Sequence, residues 1–194
     1  RLALLLAAAL GAAGLRAAEY FVNDSSTAND TFCYAPGNDA NNGLTRQYPA
    51  ASLTKILSLY SLKPGDTVYI DAGTYNLTDN ITINSNHYGT SGQYVTIRGA
   101  GRITVFNRQT QAAGSCCILN RANWLRFSNL TFTNAHTGLI IDSLTCRQAE
   151  IVETRFLNHS GAAITVQSQN AYTLEGSYTV ARNLMAGVKN GLTL

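Results

Sequence analysis

The stretch LKPGDTVYIDAGTYNL, residues Leu62 to Leu77, fits two very short strands into sixteen residues. A Pro-Gly turn comes before the alternating segment Val68–Ile70, and Ala72-Gly73 separates that segment from the second strand. The space between the turns is too short for a helix or for a hairpin of ordinary strand length. The stretch therefore predicts an architecture that is built from short strands and tight turns.

The chain continues after Gly65 as a series of similar short strands. Each one alternates an apolar residue, another residue and a second apolar residue, so each offers one face to a core. The Asn-Gly and Asp-Gly pairs that are typical of hairpins are nearly absent between them, so neighbouring strands need not pair antiparallel. The predicted strands are Val68–Ile70, Ile81–Ile83, Val95–Ile97, Ile103–Val105, Leu125–Phe127, Leu130–Phe132 and Ile164–Val166.

An internal repeat relates the segment WLRFSNLTFTNAHTGLIID, from Trp124, to QAEIVETRFLNHSGAAITV, from Gln148. The matched pairs, which share a 24-residue offset, are Phe127 with Ile151, Phe132 with Phe156, Asn134 with Asn158, and Ile140 with Ile164. A third, looser copy matches Phe156 with Val180 and Ile164 with Val188, and we expect a shift of one residue there. Such a period predicts a solenoid in which each turn of chain pairs in parallel with the next turn.

One helix is predicted, over residues 52 to 62. Its apolar residues follow helical spacing, Ser52 is the expected N-cap, and Pro64-Gly65 is expected to end it. We expect this helix to cover the apolar end of the stacked strands.

Residues 1–18, RLALLLAAALGAAGLRAA, have the basic start, short apolar run and small residues of a secretory signal peptide. The apolar run is too short to span a bilayer, and a buried helix of the mature domain is the alternative. We therefore expect a secreted or cell-surface protein without a transmembrane segment, with residues 19–194 forming the β domain. The chain ends at KNGLTL within a repeat, so we expect further turns to follow in the full protein.

Charged residues make up only 13% of the chain, and 12 basic and 11 acidic residues remain from Glu19 onward. No basic cluster with interleaved aromatic residues occurs, so we expect no nucleic-acid partner, and we expect a monomer. The segment GNDANNG, residues 37–43, fails the EF-hand pattern and predicts Asx-turns instead. We therefore predict no metal site and no cofactor-binding residues, and leave the identity of any cofactor open.

The four cysteines, Cys33, Cys116, Cys117 and Cys146, allow three disulfide pairings, and buried free thiols are an equally good interpretation. Because side chains alternate along a strand, we expect at most one of Cys116 and Cys117 to face the core.

The block from Tyr34 to Tyr75, YAPGNDANNGLTRQYPAASLTKILSLYSLKPGDTVYIDAGTY, resembles the N-terminal cap and first coil of secreted right-handed parallel β-helix proteins. These belong to the pectate-lyase-like superfamily, and the resemblance extends over residues 20 to 170. It implies an all-β fold, a right-handed parallel β-helix (solenoid) with an N-terminal capping helix, and a polysaccharide or surface glycan as partner. The superfamily includes polysaccharide lyases and also large bacterial surface proteins with no known activity.

The chemistry of catalysis has to come from individual residues. A glycosidase needs two carboxyl groups about 5–9.5 Å apart, and a lyase needs a positioned base and a group that neutralises the substrate carboxylate. The 24-residue offset places Arg126 beside Glu150, Asn129 beside Glu153, and Asp142 beside Val166, so it predicts no carboxylate pair. We interpret Arg126 and Glu150 as an exposed ion pair.

The histidines and lysines supply no clear base either. His136 falls on Ser160 rather than on His159, and the lysines are only Lys55, Lys63 and Lys189. Asn134 and Asn158 are better explained as turn residues whose amides stack in a ladder. The catalytic residues are therefore unknown at this stage. Two functions stay open, a lyase-like carbohydrate-active enzyme and a non-catalytic scaffold or adhesin.

Overall fold

A computed structural model describes residues 16–142, 146, 148–167 and 176–194. In these residues the protein is mostly β, with one short helix. The elements in chain order are β1 (Glu19–Val22), α1 (Leu53–Leu59), β2 (Thr67–Ile70), β3 (Gly73–Asn76), β4 (Ile81–Ile83), β5 (Val95–Gly99), β6 (Thr104–Asn107), β7 (Ser115–Leu119), β8 (Leu125–Ser128), β9 (Thr131–Thr133), β10 (Thr137–Asp142), β11 (Gln148–Val152), β12 (Arg155–Gln167), β13 (Ser177–Ala181) and β14 (Leu184–Thr193).

The strands form two sheets in which the neighbouring strands pair in parallel. The first sheet has the order β1-β2-β5-β8-β11-β13, and the second has the order β3-β6-β9-β12-β10-β7-β4, with β14 also on β12. From β2 onward, each strand of the first sheet is followed in the chain by one or two strands of the second sheet. We call each such unit a pass. Each pass lays its strands beside those of the pass before it.

The 24-residue offset is confirmed between β8 and β11 and between β9 and β12. Ile151 lies opposite Phe127, and Phe156 lies opposite Phe132. The expected match of Ile140 with Ile164 is wrong by one residue, because Leu139 is the partner of Ile164.

The predicted third copy of the repeat is wrong. Val180 lies opposite Ile151 rather than Phe156, and Val188 lies opposite His159 rather than Ile164. Nine residues separate β12 from β13, whereas five separate β10 from β11, so the last pass is longer than the period allows.

Aromatic rings of successive passes stack in the interior. Phe132 lies between Phe106 and Phe156, with ring centroids 5.6 and 5.5 Å away, and Tyr75 continues the row beyond Phe106 at 5.6 Å. The three phenylalanine side chains are essentially inaccessible to solvent. Their alignment follows from the parallel register, which places corresponding residues of neighbouring strands side by side.

Helix α1 packs against β1 and β4, which are terminal strands of the two sheets, so the expected covering of the stack is confirmed. The hydroxyl of Ser52 accepts a hydrogen bond from the Lys55 amide at 3.1 Å, as predicted for the N-cap. The helix ends at Leu59 rather than near Pro64, because Tyr60 has an extended backbone conformation.

The long segment between β1 and α1 is held down by a buried carboxylate. Asp71 accepts hydrogen bonds from three consecutive backbone amides, those of residues 31 to 33, at 2.6–2.7 Å. The expected Asx-turns are confirmed at Asn38 and Asn42, whose side-chain oxygens accept from the amides two residues later.

Two local predictions need correction. Cys116 and Cys117 are both buried, because the Cys116 thiol lies against the backbone carbonyls of Phe106 and Thr133 inside the structure. All four cysteines are free and buried. Ile103, predicted to begin a strand, is 50% exposed and precedes β6.

No helix among the described residues is long and apolar enough to cross a membrane. Residues 1–15 of the predicted signal peptide lie outside the described residues.

Candidate functional site

The predicted pair of Arg126 and Glu150 is present on the outer face of the six-stranded sheet. The two residues are register partners on β8 and β11, and their chain neighbours point into the core, so both side chains point outward. The Nε atom of Arg126 lies 2.6 Å from Oε2 of Glu150, and the two side chains are 41% and 22% exposed.

Tyr94 joins this ion pair from the chain just before β5. The guanidinium carbon of Arg126 lies 4.8 Å from the centroid of the Tyr94 ring, a cation–π distance. Partial burial acts to raise the pKa of Glu150, but hydrogen bonds from Arg126 and Tyr94 outweigh burial and lower that pKa below its ordinary value. Glu150 is therefore a carboxylate at neutral pH, and it is poorly suited to donate a proton.

Trp124 extends the aromatic surface, and its backbone is unusual. Its ring meets that of Tyr94 edge-on, with the centroids 5.4 Å apart. The φ angle of Trp124 is 57°, a left-handed conformation that is rare for a bulky residue. Hydrogen bonds to both neighbouring passes hold it there, since its amide donates to Gln148 and its carbonyl accepts from Val95. Backbone strain of this kind clusters at functional sites.

A groove of about 530 Å³ lies beside Trp124, and we call it the aromatic groove. Its walls include Tyr88, Arg121, Asn123, Trp124 and Gln148. Gly89 also lines it, and a Cβ there would lie 2.6 Å from the Trp124 carbonyl oxygen, so only glycine fits. Its volume lies within the range of small-molecule sites, and its aromatic, amide and guanidinium groups can contact a sugar by stacking and hydrogen bonding.

Lys63 lies at the edge of the aromatic groove, where it contacts Tyr88. Its ammonium nitrogen lies 4.8 Å from the centroid of the Tyr88 ring, and Tyr88 is 41% exposed. The signal that could have found this pair is weak, because the strands β2, β3 and β4 all lie between Lys63 and Tyr88 in the chain.

The other candidate residues lie away from the aromatic groove. His136 contacts Ser160, with Nδ1 3.0 Å from Oγ, so the predicted match of these two positions is confirmed. His159 is buried, and burial lowers its pKa despite backbone contacts that act in the opposite direction. Asp142 lies opposite Gln167 rather than Val166, which corrects the predicted register by one residue.

The asparagine ladder is present, but it runs toward the earlier passes. The amide of Asn134 donates to Asn107, and the amide of Asn107 donates to Asn76, both at 2.9 Å. Asn134 and Asn158 both have left-handed backbones, as expected for turn residues. The described residues contain no group of three or more His, Cys, Asp or Glu side chains that could hold a metal ion.

No protein-family model matches the chain, and no curated protein matches it. Among solved structures the chain is similar to the GH136 lacto-N-biosidase from Eubacterium ramulus, with a TM-score of 0.61 and 17% identity over 87% of this chain and 34% of that chain. It is also similar to the alginate lyase from Paenibacillus sp. str. FPU-7, with a TM-score of 0.49 and 19% identity over 72% of this chain and 55% of that chain. The first likeness is one of fold, and the chain spans about a third of the length of that enzyme.

Proposed function

We propose that this chain is part of a right-handed parallel β-helix that binds polysaccharide through the outer face of its six-stranded sheet. The alternating passes, the parallel register and the fold likeness to a lacto-N-biosidase support the β-helix. The apolar leader, residues 1–18, supports a secreted or cell-surface location, where such a ligand would be met.

The observation that carries the proposal is the left-handed Trp124 at the aromatic groove. The residue accepts an unfavourable backbone conformation, and its ring is set against Tyr94 beside a groove with amide and guanidinium groups. Rigid aromatic rings provide large contact areas at a small entropic cost, and the polar groups can bind hydroxyl groups.

Binding fits these residues better than hydrolysis does. The two glutamates on β11 and just after it, Glu150 and Glu153, each form an ion pair with an arginine from a neighbouring pass. Hydrolysis of a glycosidic bond needs a protonated carboxyl group as general acid, and the lowered pKa of Glu150 opposes this role for that residue. None of the residues described as lining the aromatic groove is acidic.

Lyase-like activity is the second candidate. Arg121 lines the aromatic groove, and its guanidinium group can neutralise a sugar carboxylate. Lys63 lies at the edge of the groove over Tyr88, and its uncharged amine form can accept the proton that a lyase removes. A lyase would release an unsaturated product that absorbs in the ultraviolet, so its activity can be measured in the same samples as binding.

The test compares binding to an array of neutral, uronate and sulfated glycans before and after removal of the aromatic rings. Glycine tolerates the left-handed backbone, so Trp124→Gly removes the ring without adding strain. We expect Trp124→Gly and Tyr94→Ala each to weaken binding of the best ligand by at least tenfold, as for other anchoring aromatic residues.

Tyr48→Ala is the matched control, because Tyr48 is 63% exposed and lies outside the groove. We expect it to bind as the unaltered protein does. The proposal fails if no glycan is bound, or if Trp124→Gly binds as tightly as the control.

A further inference from the structure

A second groove, of about 420 Å³, lies where β8 and β11 end, and we call it the corner groove. Three arginines line it, Arg102, Arg155 and Arg182, together with Glu153 and Asn129. The arginines come from three different passes, so the parallel stacking of the sheets brings them together although they lie far apart in sequence.

The charges in the corner groove do not balance. The Nε atom of Arg182 lies 3.0 Å from Oε1 of Glu153, so these two charges compensate each other. Among the described residues, Arg102 and Arg155 form no ion pair. The groove therefore holds an excess of two positive charges.

Arg155 also has an unmet hydrogen-bonding requirement. Its Nε–H group is buried and has no hydrogen-bond partner. A buried donor without an acceptor is costly, and more so when the group is charged. A bound anion in the groove would compensate the charge of Arg155, and its oxygen atoms can accept hydrogen bonds from a guanidinium group.

The floor of the corner groove is formed by stacked turns. Asn129, Glu153 and Arg182 have left-handed φ angles of 57°, 52° and 55°, and they follow β8, β11 and β13 directly. Neighbouring strands lie about 4.8 Å apart, so the turns present their side chains at a regular spacing.

We propose that the corner groove binds an anionic group, a carboxylate or a sulfate ester, on the same polysaccharide chain that occupies the aromatic groove. The proposal rests on the polysaccharide-binding function proposed above. The aromatic groove lies where β8 and β11 begin, at Trp124 and Gln148, and the corner groove lies where they end. Five residues from Trp124 to Asn129 span about 17 Å at roughly 3.3–3.4 Å per residue, so a glycan that follows the strands would contact both grooves.

The test uses Arg102→Gln, alone and together with Arg155→Gln, and Lys189→Gln is the charge-matched control for the single variant. Lys189 is exposed on β14 and does not line the corner groove. Arg102→Gln alone serves as the second variant if the double variant fails to fold, because Arg102 is exposed. Affinities are measured by calorimetry at low and high salt. Two anionic ligands are each paired with an uncharged counterpart: a uronate oligosaccharide with its carboxyl-reduced form, and a sulfated oligosaccharide with its desulfated form. Inorganic sulfate is the fifth ligand.

We expect the double variant to bind one of the two anionic oligosaccharides about 10–100-fold more weakly, as expected for lost charge-assisted hydrogen bonds, and the uncharged counterpart with unchanged affinity. The anionic oligosaccharide whose affinity falls identifies the anion that the corner groove binds. If the double variant loses only the binding of inorganic sulfate, the proposal is overturned. Unchanged affinity for both anionic oligosaccharides, or an equal loss for charged and uncharged forms, would also overturn it. If Trp124→Gly has no effect while the double variant weakens binding, the role proposed for the aromatic groove is wrong and the role proposed for the corner groove is supported. If only Trp124→Gly weakens binding, the role proposed for the corner groove alone is wrong.

Discussion

Replacement of Phe132 by alanine tests the stacked interior on which both grooves depend. The Phe132 ring is fully buried, lies between the rings of Phe106 and Phe156, and meets Phe127 edge-on at 6.1 Å. Truncation of a buried phenylalanine costs about 3–5 kcal/mol, and each lost aromatic pair contributes about 0.5–1.5 kcal/mol beyond buried area. The parallel hydrogen bonds on both sides of β9 prevent the cavity from closing, so we expect a loss of about 4–5 kcal/mol.

Urea denaturation measures this loss, with far-ultraviolet circular dichroism and the fluorescence of the single tryptophan as the two probes. Ile103→Ala is the control, because Ile103 is half-exposed and should lose less than about 0.5 kcal/mol. A loss below about 1 kcal/mol for Phe132→Ala, with an unchanged slope against urea, would show that the rings do not stack as described.

Two further predictions concern buried polar and thiol groups. Asp71→Ala leaves four backbone amides without their acceptor, those of residues 31–33 and of Ala72. We therefore expect a loss of about 3 kcal/mol or more in urea denaturation and faster proteolysis within residues 23–49. Asp79→Ala, at an exposed position, should change neither, and equal behaviour of the two variants would contradict the anchoring role. Burial raises the pKa of Cys116 and of Cys146 to about 12 and raises those of Cys33 and Cys117 as well, so the native protein should resist iodoacetamide at pH 8 and all four thiols should react in denaturant. Rapid alkylation of any of them in the native protein, detected by mass spectrometry, would contradict this burial.

The short alternating strands could be predicted because each has one apolar face and must bury it. Phe132 and Phe156 could be paired from sequence for the same reason, since a slip of one residue would turn both rings outward. The N-cap at Ser52 could also be predicted from the sequence, because a serine just before an apolar helix commonly caps it.

The predicted partners of residues on neighbouring strands are wrong where the spacing between buried residues changes but the apolar pattern of the sequence does not. Residues 159 to 162 of β12 contain a register irregularity against β14. Ile140 and Leu139 are both apolar, so the sequence pattern did not reveal that the true partner of Ile164 is Leu139. Helix α1 ends early because Tyr60 turns to an extended conformation while keeping helical spacing in sequence.

The number of residues between paired strands also varies around the candidate site. For this reason, Arg126 and Glu150 are the only two of its residues that could be paired from the sequence. Their strands are separated by one period of the repeat, whereas Leu125 pairs on β5 with Val95, which lies more than one period earlier in the chain. A search with one period therefore could not place Tyr94 beside Trp124. The strands pair in register both across the 24-residue step from β8 to β11 and across the 30-residue step from β5 to β8, so the connections between strands differ in length. Tyr88 and Gly89 lie in the connection between β4 and β5, and they line the aromatic groove with Trp124. A regular strand register thus supports the fold, while connections of different length supply side chains of the candidate binding surface.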